Sequence, residues 1–251
     1  MIIYFSATGN SEHVAQQIAA RTNDTARSIE SFAADATPVI DIKPGERLGI
    51  VFPVYFLKIC KPMAEFIERA VISSAPSAYT YTVATYGSFS GMTAHEAEAL
   101  LAAKGIKLAA SFSVKMPDTW TPIFDLSDAD KVAQTNRAAD EELAVAIKQI
   151  AENTTGDHSR MRLPRGFSEL YCAIGMPLST RTKNFTVEAS ACTGCGLCAK
   201  RCPAQAIEIA DRAPVWGKPS CYACLRCLHS CPTFSIQYGK NTAEHGQYRH
   251  P

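Results

Sequence analysis

The sequence predicts an α/β protein in two parts, a doubly wound parallel sheet over residues 1–152 and a small α+β unit over residues 184–251. Three observations predict it. Strand-like and helix-like apolar patterns alternate through roughly the first 150 positions, no clear period survives from 153 to 183, and a cysteine-rich unit then occurs twice. Strand–helix alternation of this kind argues for a parallel sheet covered by helices on both faces.

The elements follow in chain order. Ile2 to Phe5 is a short apolar run that ends in the polar loop Ser6 to Ser11. Val14, Ala15, Ile18 and Ala19 then recur at helical spacing. Arg27 to Phe32 reads as a weaker second strand, and Leu48 to Phe52 as a buried third strand stopped by Pro53. Met63, Phe66, Ile67 and Ala70 share a helical face. Tyr79 to Thr85 is β-rich and runs into Tyr86-Gly87. Gly91 to Lys104 is helical with Gly105 as its stop, Leu108 to Met116 is the last strand, and Asp128 to Glu152 is a long helix. Residues 153–183 read as a linker with a short helix near Phe167 to Ala173.

Composition bounds the function. The 251 residues are 47% hydrophobic and 20% charged with a formal net charge of +1, so neither nucleic acid nor an acidic tail is indicated. Met1 leads straight into Ile-Ile-Tyr-Phe without a basic n-region, a signal-length apolar run or a cleavage site. No apolar run approaches the ~20 residues that span a bilayer. The expectation is a cytoplasmic protein with no membrane span.

Ten cysteines in a reducing compartment read as metal ligands before disulfides. Only Cys60 and Cys172 stand apart. Cys192, Cys195, Cys198, Cys202 and Pro203 recur 29 positions later as Cys221, Cys224, Cys227, Cys231 and Pro232. After each group comes a strand-like tail, Ala206 to Ile209 and Ser235 to Tyr238. So short a segment buries little apolar area, and bound metal would have to supply part of its core. Each unit reads C-x2-C-x2-C-x3-C-P, the run found in bacterial ferredoxins. Structural zinc usually takes separated cysteine pairs, which are not seen here. The segment resembles the two-cluster bacterial-type ferredoxins. In that arrangement three thiolates on one tight loop reach one cubane, while the fourth, turned away by its proline, serves the other. The resemblance implies two [4Fe–4S] clusters, one on Cys192, Cys195, Cys198 and Cys231, the other on Cys221, Cys224, Cys227 and Cys202. The C-x3-C-x2-C spacing of radical enzymes is absent, since residue 205 is Gln and residue 234 is Phe.

In the first loop, hydroxyls at Ser6, Thr8 and Ser11 precede a helix N-terminus, where backbone N–H groups favour a phosphate dianion. No Gly-Lys-Ser/Thr follows it, and no G-x-G-x-x-G run marks a nicotinamide site. A capped helix start is the plainer alternative for a lone loop of this kind. In a doubly wound sheet, however, the ends of the third and fourth strands flank the same crevice. Residues 1–150 resemble the flavodoxin family, with the loop Ser6-Ala7-Thr8-Gly9-Asn10-Ser11 as the most specific match. The resemblance implies FMN, its phosphate on Ser6, Thr8, Gly9, Asn10 and Ser11. Its ring would meet Pro53, Val54, Tyr55 and Phe56 on one strand end and Thr85, Tyr86, Gly87 and Ser88 on the other. Which of Tyr55, Phe56 and Tyr86 stacks on the ring stays open. The two parts in this order are similar to the ferrodoxin-type flavodoxin–ferredoxin fusions, over nearly the whole chain.

Several residues read more simply as structure. Cys60 and Cys172 suit buried inert thiols, and His229 an exposed loop histidine. Trp120 and Trp216 fit either an interface or a core. Asp125, Asp128 and Asp130 fit the capped start of the long helix. The functional expectation is an electron carrier that relays between FMN, two [4Fe–4S] clusters and redox partner proteins of unknown identity. The alternatives are a flavin-dependent reductase acting on a small substrate and fed by its own ferredoxin part, and a redox sensor. From residue 184 onward seven Lys/Arg stand against four Asp/Glu, so an external partner would meet a mixed or basic surface.

Overall fold

Nine strands belong to the N-terminal part of the protein, whose computed structural model describes residues 1–75 and 77–251. They are β1 (Ile2–Tyr4), β2 (Ala26–Ser28), β3 (Val39–Ile42), β4 (Arg47–Tyr55), β5 (Lys58–Ile59), β6 (Val71–Ser74), β7 (Tyr79–Tyr86), β8 (Ala110–Lys115) and β9 (Gly156–Asp157). Five helices accompany them: α1 (Asn10–Thr22), α2 (Lys61–Arg69), α3 (Thr93–Ala102), α4 (Ala129–Ala151) and α5 (Arg165–Ser179). The main sheet runs β2–β1–β4–β7–β8–β9, all parallel, with β5 folded back on β4. Strand order therefore reverses beside β1, which opens a crevice at the C-terminal strand ends. This is a flavodoxin-like doubly wound fold.

Each face of the sheet buries its own helices. On one side Val14, Ala15 and Ile18 of α1 and Leu143, Ile147 and Ile150 of α4 pack on Ile2, Val51, Val83 and Phe112. On the other, Met63, Phe66 and Ile67 of α2 and Ala97 and Leu101 of α3 pack on Ile3, Ile50 and Phe52. β7 is buried along its whole length, as a strand sandwiched between helical layers must be. Asp128 caps α4 by accepting from the backbone N–H groups of Asp130 and Lys131.

Three elements depart from the sequence reading. The second strand ends at Ser28, and Ile29–Phe32 form a 3-10 turn, because the Ser28 hydroxyl accepts from the Glu30 N–H and closes the chain locally. Pro53 does not stop β4. Opposite it β1 has already ended, its last partner being Val51, so the missing N–H costs no ladder bond on that side. Residues 153–183 are built structure: β9 extends the sheet, and α5 is a full helix. Its apolar residues lie on several sides, with Phe167, Leu170, Tyr171, Ile174, Met176 and Leu178 exposed and Ser168 and Cys172 buried, which erases the single stripe a sequence scan looks for.

The C-terminal part contains α6 (Leu197–Lys200), α7 (Arg226–His229) and α8 (Thr242–His245), with two antiparallel pairs, β10 (Phe185–Val187) on β13 (Ile236–Tyr238) and β11 (Ile207–Ala210) on β12 (Ala213–Trp216). Its core is small: Phe185, Leu225, Leu228, Ile236 and Tyr238, with Trp216 stacked on Phe185 at 4.6 Å. The cysteine repeat is also a backbone repeat. Gly194 and Ala223 take φ of 70° and 52°, Gly196 and Leu225 take 72° and 50°, and Gln205 and Phe234 take 47° and 51°. Among the described residues no helix is long and apolar enough to cross a membrane.

Candidate cofactor sites

A cavity of about 400 Å³ lies at the C-terminal ends of β1, β4, β7 and β8. Ser6, Thr8, Asn10, Ser11, Pro53 to Phe56 and Thr85 to Ser88 all line it, while Gly9 does not. Gly9 sits behind the loop, its backbone at φ 101° and its Cα against His250.

The loop is held from several directions. The Ser6 hydroxyl accepts from the Gly9 N–H at 3.1 Å, and the Ser11 and Thr85 hydroxyls are 2.7 Å apart. The Asn10 side chain is committed to the fold: its Nδ2 donates to the Pro117 carbonyl at 3.2 Å, and its Oδ1 accepts from the Tyr248 hydroxyl at 2.8 Å. What Asn10 offers an anion is therefore its backbone at the start of α1, where the first N–H groups have no intrahelical acceptor. The end of the chain straps the loop from outside. The His250 N–H donates to the Thr8 carbonyl at 2.8 Å, and its ring stacks on His13 at 4.0 Å.

The opposite wall is aromatic. Phe56 and Leu57 form the two-residue turn between β4 and β5 with φ of 52° and 63°, where Asn-Gly is usual. That turn is pinned by the Met92 N–H on the Leu57 carbonyl at 3.0 Å and by the Cys172 thiol on the Phe56 carbonyl at 2.6 Å. Backbone held in this region by its surroundings is typical of ligand clamps. Trp120 meets Phe56 edge-on at 6.1 Å and Tyr238 at 5.4 Å, so it joins the two parts of the protein. Phe167 and Tyr171 of α5 also line the cavity, and both stay exposed. Cys60 is fully buried beneath this region, which pushes its thiol far up and makes it inert.

Asp118 also lines the cavity, packed against Gly87. Burial raises its carboxyl above the ordinary value, against hydrogen bonds from the Trp120 N–H and the Ser88 hydroxyl, each 3.1 Å. The sequence carried a signal for it that went unused: the end of β8 faces the same crevice as the ends of β4 and β7.

The cysteines form two groups. A second cavity is lined by Cys192, Cys195, Cys198 and Cys231. Cys202 acts electrostatically on Cys221, Cys224 and Cys227, three thiols of the other repeat. No three His, Cys, Asp or Glu side chains among the described residues gather closely enough to hold a metal ion. Backbone N–H groups already point at sulfur, Ala223 to Cys221 at 3.3 Å and Ala206 to Cys202 at 3.4 Å. Desolvation pushes the Cys224 thiol up to about 12.

The two kinds of site share a wall. Ala223 and Cys224 line the large cavity together with the first loop. Two side chains lock this junction, His229, which the sequence suggests is an exposed loop residue, and Arg226, which no sequence pattern singles out. His229 is buried, not exposed: its Nδ1 accepts the Tyr248 N–H at 3.1 Å, so its Nε2 carries the proton and donates to the Thr119 carbonyl at 2.9 Å. Burial lowers its pKa to about 4. Arg226, 3% exposed, bonds the Ser6 carbonyl and the Glu30 carboxylate.

Known families match both parts. The flavodoxin domain family matches residues 1–142, more than half of the sequence. The chain belongs to the flavodoxin domain family. A 4Fe-4S dicluster domain matches residues 185–232, so the protein is a flavodoxin–ferredoxin fusion, with a flavin and iron–sulfur chemistry as the natural companions of its two domains. No curated protein matches. Among solved structures the rubredoxin oxygen:oxidoreductase of the anaerobe Desulfovibrio gigas is similar at 15% identity and a TM-score of 0.30, over 59% of this chain and 35% of that one. The chain thus spans about a third of that protein's length.

Proposed function

We infer that the protein relays electrons internally between FMN in the large cavity and two [4Fe–4S] clusters on the cysteine quartets, exchanging them with redox partner proteins. The observation that carries this is Cys224, which belongs to the second quartet and lines the cavity beside Ser6 and Tyr55. When bound, FMN exchanges one or two electrons and each cluster exchanges one. The residues do the rest. Ser6, Thr8, Ser11 and the N–H groups opening α1 would hold the phosphate, and Tyr55, Phe56, Tyr86 and Trp120 would bound the ring and exclude water. The quartets are Cys192, Cys195, Cys198 and Cys231, and Cys221, Cys224, Cys227 and Cys202. Leu163, Phe167, Tyr171 and Ser179 from the segment 153–183 line the crevice, between a flavin part over 1–152 and a cluster part from 184 onward.

Rapid mixing tests the relay. Anaerobic protein reduced by less than one equivalent should share electrons between clusters and flavin at a rate independent of protein concentration. A rate proportional to concentration would mean transfer between molecules, and the internal relay would fail. Iron and sulfide near eight each per chain would accompany two clusters. A second reading, a flavin-dependent reductase, draws on the apolar roof of Leu163, Phe167 and Tyr171, which a small substrate could share with the flavin.

A further inference from the structure

The 29-residue repeat sets Arg226 of the second cysteine unit opposite Leu197 of the first. Arg226 lies between Cys224 and Cys227 and opens α7. Its guanidinium is buried, bonds both carboxylate oxygens of Glu30 and the Ser6 carbonyl, and donates to the Arg201 carbonyl at 3.1 Å. It lies over the Phe5 ring at 5.1 Å, while its Nε has no hydrogen-bond partner among the described residues. A buried cation that bonds the first loop and follows Cys224 by two residues, where Cys224 and Ser6 line one cavity, stands at the junction of both proposed cofactor sites.

We propose that Arg226 is a positioning residue for electron transfer, fixing the second cysteine quartet against the first loop and raising the reduction potential of the cluster held there. The proposal rests on the cluster assignment above. One-electron reduction adds one negative charge to the ligated cluster, with no atom or proton moved. A fixed guanidinium favours it, the more so where water is excluded. Glu30 is 46% exposed and offsets the cation only in part. The first quartet has Leu197 at the matching position, so the effect belongs to one site only.

The test is an anaerobic redox titration of the full chain with FMN, followed by electron paramagnetic resonance, the second site's signal being the one that Cys202→Ser alters. Arg226→Gln should lower the midpoint of that signal, a tenfold change in the reduced-to-oxidised ratio corresponding to about 59 mV for one electron. Glu30→Gln keeps the cation and removes its counter-charge, so it should move the same midpoint upward by a smaller amount. The other cluster should stay where it is in both variants. Opposite shifts are the signature of charge, since a merely structural role would not change sign between the two substitutions. Unmoved midpoints, or shifts of one sign in both variants, would overturn the role of Arg226 alone. Wild-type protein without two one-electron signals would overturn the cluster assignment and this inference with it. If Arg226→Gln does not fold, Glu30→Gln decides by the direction of its shift.

Discussion

Replacing Gly9 by alanine should weaken flavin binding through two contacts that can be added up. The residue sits at φ 101°, outside the range an L residue adopts freely, and holding alanine there costs roughly 1–3 kcal/mol. The new Cβ would lie 2.8 Å from the His250 Cβ and 3.1 Å from its backbone nitrogen, so the strap must move. Moving it forfeits the bond from the His250 N–H to the Thr8 carbonyl, worth roughly 0.5–1.5 kcal/mol. Together these come to about 1.5–4.5 kcal/mol, divided between the stability of the flavin-free protein and its affinity for FMN. If the loop relaxes when empty, the cost falls mainly on affinity, a loss of roughly 10- to 2,000-fold. Chemical denaturation of the flavin-free protein measures the first share, and titration with FMN followed by quenching of its fluorescence measures the second. A variant that loses less than about 0.5 kcal/mol over both measurements would refute the strapped-loop account.

Three further outcomes follow from other positions. Cys202→Ser should perturb the cluster on Cys221, Cys224 and Cys227 and spare the other; resonance spectra showing damage only to the first site would disprove the cross-repeat pairing. Asp118→Asn should stabilise the protein at neutral pH, because the native state holds its raised carboxyl proton more tightly than the unfolded chain does and loses stability as pH climbs through that range. The advantage should fade as pH falls below the ordinary carboxylate range, and thermal melts across pH would expose a flat difference if Asp118 keeps an ordinary pKa. Tyr81→Phe should stabilise by about 1–3 kcal/mol, since the buried Tyr81 hydroxyl has no hydrogen-bond partner among the described residues; a lower melting temperature would reveal a partner.

The sheet was legible because its signals are local. Val14, Ala15, Ile18 and Ala19, or Met63, Phe66 and Ile67, announce a buried helical stripe on their own, and cysteine spacing announces a cluster loop before any folding is known. The first loop is a local signal too, and its hydroxyls at Ser6, Thr8 and Ser11 line the cavity. What stayed hidden depends on distant partners. Asn10 reads as an anion ligand until Tyr248 and the Pro117 carbonyl claim its side chain. His229 reads as a loop histidine until Thr119 and Tyr248 enclose it. Arg226 is one arginine among several until Glu30 and the Ser6 carbonyl, both far off in sequence, close around it. The helix α5 escaped because its apolar residues serve more than one side.

The matched left-handed positions of the two cysteine units differ in what surrounds them. At two of the three pairs the first unit has glycine, Gly194 and Gly196, where the second has Ala223 and Leu225 in the same backbone state. Glycine adopts that state freely; alanine and leucine hold it at a cost of roughly 1–2 kcal/mol each. Both replacements are buried: Ala223 in the wall of the large cavity, Leu225 in the core that also meets Trp120. In the first unit a side chain at Gly194 would meet the Arg212 carbonyl at 2.8 Å, so that position has no room for one. The second unit carries side chains at both points on the side where it meets the sheet domain, so the mismatch between twins marks which of them packs against that neighbour.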